Sequence, residues 1–489
     1  MRRLARTGLA LLCCGCAVGP DFVRPDPPDV DRYGSEAVPA RIESANGDSV
    51  QRLELGREIA DEWWTLFRSP DLDRLLSQAV AANPTLVAAR ATLTQAREAV
   101  VAAQGGLYPE IDATAGASRE RSARTRVSRA SIGSATTNLY SLGVGVSYAL
   151  DVFGGVRRSI EQEEAFFDSQ HYELAAAYLT LTGNAVTQAI AIASLRAQLA
   201  ASEQIVADDE DNLALVQRKF DAGKAARSDV LTAQTQLASD RTLLPPLRQE
   251  LSAARHALAV LAGELPARYA PPDCELAAFI PPEEIPVTLP SDLVRERPDI
   301  LAAEARLHAA SAAIGVATAD LFPKLTLSGS LGTQALTTAA LFSSPASAWM
   351  LAADAAAPIF RGGTLRAQRR AAIAAYDASL ATYQQTVHVG FQQVADLLSA
   401  LAHDRESTDA QRALFDSASE ALRLQRIGYE AGKTDALRLI DAQRSYQQAS
   451  LDLARAQAQQ LQNSALLVVA LGRGWSDAAI AGETGGRKS

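Results

Sequence analysis

From Tyr140 to Leu150 the chain alternates. Tyr140, Leu142, Val144, Val146, Tyr148 and Leu150 are large and apolar, while Ser141, Gly143, Gly145, Ser147 and Ala149 between them are small or polar. Leu325, Leu327 and Leu331 alternate in the same way with Thr326, Ser328 and Ser330. A period of two predicts strands with one apolar face. Four strands are expected, at about 110–120, 138–151, 323–333 and 347–359. Two architectures fit: a soluble sheet over a core, or a membrane barrel with lipid outside and water inside. Four strands cannot close a barrel alone, and an open edge is not viable in lipid. In the second architecture several chains share one barrel.

After Gly155 and Gly363 the period changes to seven. Tyr178, Ala185, Ile192, Leu199, Val206, Leu213 and Phe220 form one stripe, with Leu179, Val186, Ala193, Ala200, Ala207 and Ala214 beside it. The second half carries Leu380, Val387, Val394, Leu401, Thr408, Phe415, Leu422 and Tyr429. Residues 156–220 would make a helix of ~98 Å. A seven-residue period means coiled-coil-like packing, and two adjacent stripes mean neighbours on more than one side. A large bundle, a dimeric coiled coil and a curved wall of helices around a lumen all satisfy this pattern.

The two halves are one unit written twice. Pro84 and Pro298 are 214 positions apart, as are Pro109 and Pro323. Phe220-Asp221-Ala222-Gly223-Lys224 matches Tyr429-Glu430-Ala431-Gly432-Lys433 at an offset of 209, and Leu261-Ala262-Gly263 matches Ala470-Leu471-Gly472 at the same offset. Landmarks in one order and near-constant register indicate duplication. Each repeat reads helix, strand pair, long helix, turn, helix. Pro84 and Pro298 suit helix starts. Pro109, Gly154 and Gly155 in the first repeat, and Pro323, Gly362 and Gly363 in the second, mark the passages between helix and strand. The organisation expected is a lipoprotein signal peptide over 1–15, a lipidated extended segment over 16–60, the first repeat over 61–265, a linker or equatorial segment over 266–290, the second repeat over 291–475 and a flexible tail over 476–489.

Composition narrows the function. The 489 residues are 48% hydrophobic and 21% charged, enough to bury a core, and the net charge is −9. A nucleic-acid binder would need a basic stripe instead. Five His and four Cys are scattered and build no metal constellation. No phosphate-binding loop and no nucleophile motif occurs, so neither enzyme nor cofactor is expected. Arg2, Arg3 and Arg6 precede the short apolar run Leu9–Leu12, followed by Cys13, Cys14 and Cys16. This reads as a signal peptide too short to span a bilayer. Gly15-Cys16 resembles a lipoprotein cleavage site, with Cys16 acylated and Cys14 the alternative. An ordinary signal peptide is the plainer reading.

The whole pattern resembles the TolC-like outer-membrane factors, in the lipoprotein branch of OprM-like and NodT-like proteins. The match is carried by Cys16–Pro25, Trp63-Trp64 with Phe67 and Pro70, Tyr108-Pro109, Phe322-Pro323 and Ile359–Gly363. Both Ala-Gly-Lys turns, Asp441-Ala442-Gln443-Arg444 and Leu471–Trp475 complete it. The resemblance implies a mainly α chain with a small β part. It implies a homotrimer whose four strands per chain close a 12-stranded outer-membrane β-barrel on a long periplasmic α-helical barrel. It further implies a passive exit duct in the outer membrane, with outer-membrane lipids around it. Its partners would be a periplasmic adaptor and a proton-driven inner-membrane pump. A protein-secretion duct and a pore-free coiled-coil spacer are the competing functions.

By the same resemblance the tips Gly223-Lys224 and Gly432-Lys433 dock the adaptor, although a helix cap alone explains their glycines. Tyr429, Asp441 and Arg444 would ring a closed periplasmic aperture, with Arg438 an alternative partner for Asp441. Thr434 stands where TolC carries a basic residue, so that network is not copied whole. Without the resemblance, Asp441 and Arg444 read as a solvated i,i+3 pair. Cys274 falls in the linker as a lone thiol. His308, His388 and His403 read as packing or solvated residues. Arg119, Arg121, Arg124, Arg126 and Arg129 lie between the first two strands.

Overall fold

A computed structural model describes residues 17–34, 41–43, 50–55, 60–121, 136–272, 274–477 and 480. Cys16, the signal peptide, Arg124, Arg126 and Arg129 lie outside the described residues, as does most of the expected tail.

The periodicities locate the elements closely. Helices α1 (Pro70–Ala82) and α2 (Pro84–Gly105) lead into strands β3 (Glu110–Arg121) and β4 (Thr136–Leu150). The long helix α3 (Gly155–Asp221) turns at Gly223 into α4 (Arg227–Arg241) and α5 (Leu244–Leu261). The second repeat follows with α6 (Pro290–Glu296), α7 (Pro298–Ala319), β6 (Lys324–Ala335) and β7 (Ser347–Ala356). It ends with the long α8 (Thr364–Glu430) and α9 (Ala436–Ala470). Both long helices run 67 residues, ~100 Å at 1.5 Å per residue.

Two expectations need correction, and the extended segment 16–60 and the linker or equatorial segment 266–290 carry short strands besides. Strands β1 (Arg41–Glu43) and β2 (Val50–Leu55) pair antiparallel, and β2 pairs in parallel with β5 (Glu284–Val287). These strands are too short for periodicity to show them, and β5 contains Pro286. The strand expected over 347–359 stops at Ala356; Pro358, just beyond, has no N–H to donate to a ladder. The single helix expected after Gly223 is two, α4 and α5, with Pro245 and Pro246 in the first turn of α5, where proline is tolerated.

The chain forms two compact units, and each draws on both repeats. One unit comprises the chain through Pro25, Leu93–Ser169 and Ala303–Tyr383; the other comprises Asp26–Thr92, Gln170–Ala302 and Gln384–Ser489. The second unit holds an aliphatic core in which Ile285 and Val287 of β5 and Leu293 of α6 meet Val394, Leu398 and Leu401 of α8 and Leu467 of α9. Trp63, Phe67, Leu72 and Leu76 are also fully buried in this unit, and the Trp63 indole donates to Thr182 Oγ1 at 3.3 Å.

Candidate functional site

In the first unit the strands form one antiparallel sheet in the order β3-β4-β6-β7. Register aligns the apolar positions across it. Ala113, Val144, Leu331 and Trp349 lie in one row, and Ile111, Val146, Gly329 and Leu351 in another. Between these rows run Asp112, Gly145 and Ser330, small or polar, with Met350 the apolar exception at the end of the row. A soluble sheet would bury the apolar face. Here Leu351 is 78% exposed, Trp349 74%, Ile111 68% and Leu331 64%. β3 and β7 are edges with no neighbour among the described residues. Large exposed apolar patches mark a surface that meets lipid or another chain.

The residues expected at the helix–strand passages fasten the start of the described chain. Gly154 has φ +75°, and a Cβ there would stand 2.5 Å from Ala17 Cα. The Val18 amide donates to Phe153 O at 3.1 Å. The buried Arg158 donates to Val18 O, to Asp21 at 2.7 Å and to Glu161 at 2.7 Å. Phe22 stacks on His308 at 4.4 Å, and the other oxygen of Glu161 holds the His308 ring at 3.0 Å. His308 is therefore a packing residue. Asp151 caps α3 by accepting from the amides of Val156 and Arg157, and Gly155 opens that helix. Phe153 stacks on Phe322, which precedes Pro323, at 4.7 Å. Gly362 and Gly363 both have positive φ just before α8.

In the second unit the two tips are near copies. Gly223 and Gly432 have φ of 69° and 70°. Lys224 N donates to Lys219 O at 2.7 Å, and Lys433 N to Gly428 O at 2.8 Å. These are helix ends closed by a left-handed residue. Lys224 and Lys433 are exposed, and nothing lies within 4 Å of a Cβ built on either tip glycine.

The expected aperture residues separate within one chain. Tyr429 is buried with Val216, Val230, Leu422 and Leu439, under the Lys219 ammonium 3.7 Å from its ring centre. Burial, then nearby Asp229, pushes its hydroxyl pKa up. Asp441 is exposed, and no ion pair joins it to Arg438 or Arg444 among the described residues. Arg444 Nε instead donates to Gln236 Oε1 of α4 at 2.9 Å. The Arg438 amide donates to Asp435, the N-cap of α9, at 2.9 Å.

Gln236 leads to a cluster that pattern alone did not single out. Its Nε2 donates to Asp240 Oδ2 at 2.7 Å, and Asp240 lies beside Asp209 of α3, since the residues that follow them, Arg241 and Glu210, are paired at 2.6 Å. Asp209 is 2% exposed and Asp240 4%. Neither oxygen of Asp209 has a donor within reach. Burial, then contact with Asp240, raises the Asp209 pKa to about 8. The repeat register could have flagged the pair, because at an offset of 209 the second repeat has Ala418 and Ala449.

The outer membrane efflux protein family model matches residues 75–264 and 289–473. The chain is 32% identical to the pyoverdine export outer membrane protein OpmQ of Pseudomonas putida, over 97% of this chain and 98% of that one. The solved outer-membrane channel OprN superposes with a TM-score of 0.84 at 28% identity, over 94% of this chain and 100% of that one. The open state of the MtrE outer membrane channel of Neisseria gonorrhoeae superposes with 0.81 at 27% identity, over 94% and 99%.

Proposed function

The chain belongs to the outer membrane efflux protein family and is the outer-membrane exit duct of a tripartite efflux system, and on that premise we propose that three copies close one barrel. Four strands from each copy make 12. The observation that carries this is the sheet, whose apolar face is exposed and whose edges β3 and β7 lack neighbours. Joining β7 of one copy to β3 of the next removes every edge, as lipid requires. A coiled-coil spacer needs no such sheet.

The helices form the periplasmic part, and the tips at Gly223-Lys224 and Gly432-Lys433 meet the adaptor, which couples the duct to a proton-driven inner-membrane pump. Cys16 carries the lipid. Its neighbour Ala17 packs on Gly154, just beyond the end of β4. Lipid supplements the barrel rather than replacing it, because acyl chains alone bind reversibly.

Asp441 and Arg444 form the aperture between copies. Asp441, exposed and without an ion pair among the described residues, becomes a ring of carboxylates around a three-fold axis, and such a ring closes only if each member is paired. Arg444 or Arg438 of the next copy supplies the pairing, and Tyr429 supports the tip from behind. Replacing both Asp441 and Arg444 by Ala should raise conductance in planar bilayers severalfold with trimer yield intact. Wild-type conductance in the double variant would return both residues to the solvated helix surface.

A further inference from the structure

Asp209 and Asp240 pose a problem of charge. Two buried carboxyls lie side by side where α3 and α4 are joined by the Glu210–Arg241 pair, and Gln236 is the one donor that reaches either of them among the described residues. Two bare carboxylates in contact and away from water repel strongly. A proton on Asp209 turns repulsion into a hydrogen bond to Asp240. Packing does not call for the acids, since Ala418 and Ala449 fill the matching positions and are themselves buried.

The pair is wired to a gate residue. Arg444 of α9 donates to Gln236, Gln236 donates to Asp240, and Asp240 meets Asp209 of α3. The remaining charges facing Asp209 are accounted for. Asp208, its neighbour on α3, is paired with Arg426 of α8 at 2.6 Å, and Arg444 is the cation that acts on Asp209 from α9. The next residue of α3, Glu210, is tied to Arg241 of α4 at 2.6 Å.

We propose that Asp209 holds a proton that bonds it to Asp240 and that this proton, through Gln236 and Arg444, clasps the gate helix α9 to α3 and α4. Loss of the proton to water leaves two adjacent carboxylates. Their repulsion parts α3 from α4, Gln236 loses its fixed acceptor, and Arg444 is released from the first repeat. The direction follows from linkage. A carboxyl whose folded pKa lies above its unfolded value stabilises the fold fully below the unfolded pKa. That contribution is lost as pH rises through the folded value, here about 8. The clasp therefore holds in acid and neutral conditions and loosens in alkali.

This proposal rests on the channel reading and on Arg444 lying at the aperture, so the test separates them. The purified full-length channel is placed in planar bilayers and conductance is recorded from pH ~6 to ~9 for wild type, Asp209→Asn, Asp240→Asn and the Asp441→Ala/Arg444→Ala variant. Wild-type conductance should rise severalfold across the upper half of that range. Asp209→Asn and Asp240→Asn should stay low and flat, because an amide keeps the hydrogen bond and cannot ionise. The same rise in Asp209→Asn as in wild type overturns the clasp and leaves the channel standing. No conductance from any variant at any pH overturns both. Infrared spectroscopy gives a readout independent of conduction. A buried protonated-carboxyl C=O band should be present at neutral pH in wild type and missing from Asp209→Asn. A neutral-pH spectrum without that band in wild type also overturns the proposal.

Discussion

Asp209 and Asp240 in the first repeat stand where the second repeat has Ala418 and Ala449, and Thr232 and Thr235 stand where it has Asp441 and Arg444. The backbones around these positions are alike. Both repeats have a 67-residue helix, a left-handed glycine at the tip and a return helix. The first repeat therefore keeps these acids inside, between α3 and α4, and carries neutral Thr232 and Thr235 at the matching exposed positions. The second repeat buries alanine and exposes its charge. The return helices differ too, since α4 and α5 are split before Pro245-Pro246 whereas α9 is continuous over 35 residues. Duplication preserved the packing geometry, and divergence fell on the polar groups that packing leaves free.

The same contrast appears where each return helix ends. Asn83 of the first repeat donates to the carbonyls of Leu261 and Val260 at the end of α5. Arg297, its counterpart, donates to Ala470 O at the end of α9 at 2.8 Å, to Gly390 O at 3.4 Å and to the side chains of Asp299 and Gln393. One neutral amide does locally what a buried guanidinium does for three elements.

The largest effect is expected in the sheet, where the repeats should behave alike. Val144 of β4 and Leu331 of β6 are cross-strand neighbours on the apolar face. Arg at either position should cost ~2–4 kcal/mol near the bilayer midplane and reduce heat-modifiable trimer in outer-membrane fractions. Ser330→Arg, on the opposite face, should assemble normally. Equal assembly of all three would break the assignment of the apolar face to lipid.

The next effect separates the repeats. Arg297→Ala strands several buried acceptors and should cost ~3 kcal/mol, against ~1 kcal/mol for Asn83→Ala. Thermal unfolding followed by circular dichroism checks this, and equal shifts would mean the guanidinium contributes no more than the amide. The smallest effect is Thr232→Ala. Its hydroxyl bonds only its own helix, to Ser228 O at 2.9 Å, so stability should stay within ~0.5 kcal/mol and conductance unchanged. A rise like that expected for Asp441→Ala/Arg444→Ala would show that both repeats line the aperture.

Period, punctuation and register in the sequence determined the duplicated order of elements, the ends of the long helices within a residue or two, the alternating faces of the sheet and the tip glycines. These are local properties, since proline and glycine act on their own φ, and an apolar stripe follows from spacing alone. The tertiary structure decided the rest. It exposed the apolar face of the sheet, which a soluble core would have buried, and alternation alone could not show this because it is the same in both readings. It brought β5 beside β2 across more than two hundred residues, a pairing that short strands do not announce. It also sent Arg444 to Gln236 rather than to Asp441 one turn away, and set Asp209 against Asp240. Which charge meets which depends on how helices distant in sequence lie side by side, and the cost of burying that charge makes the contact matter.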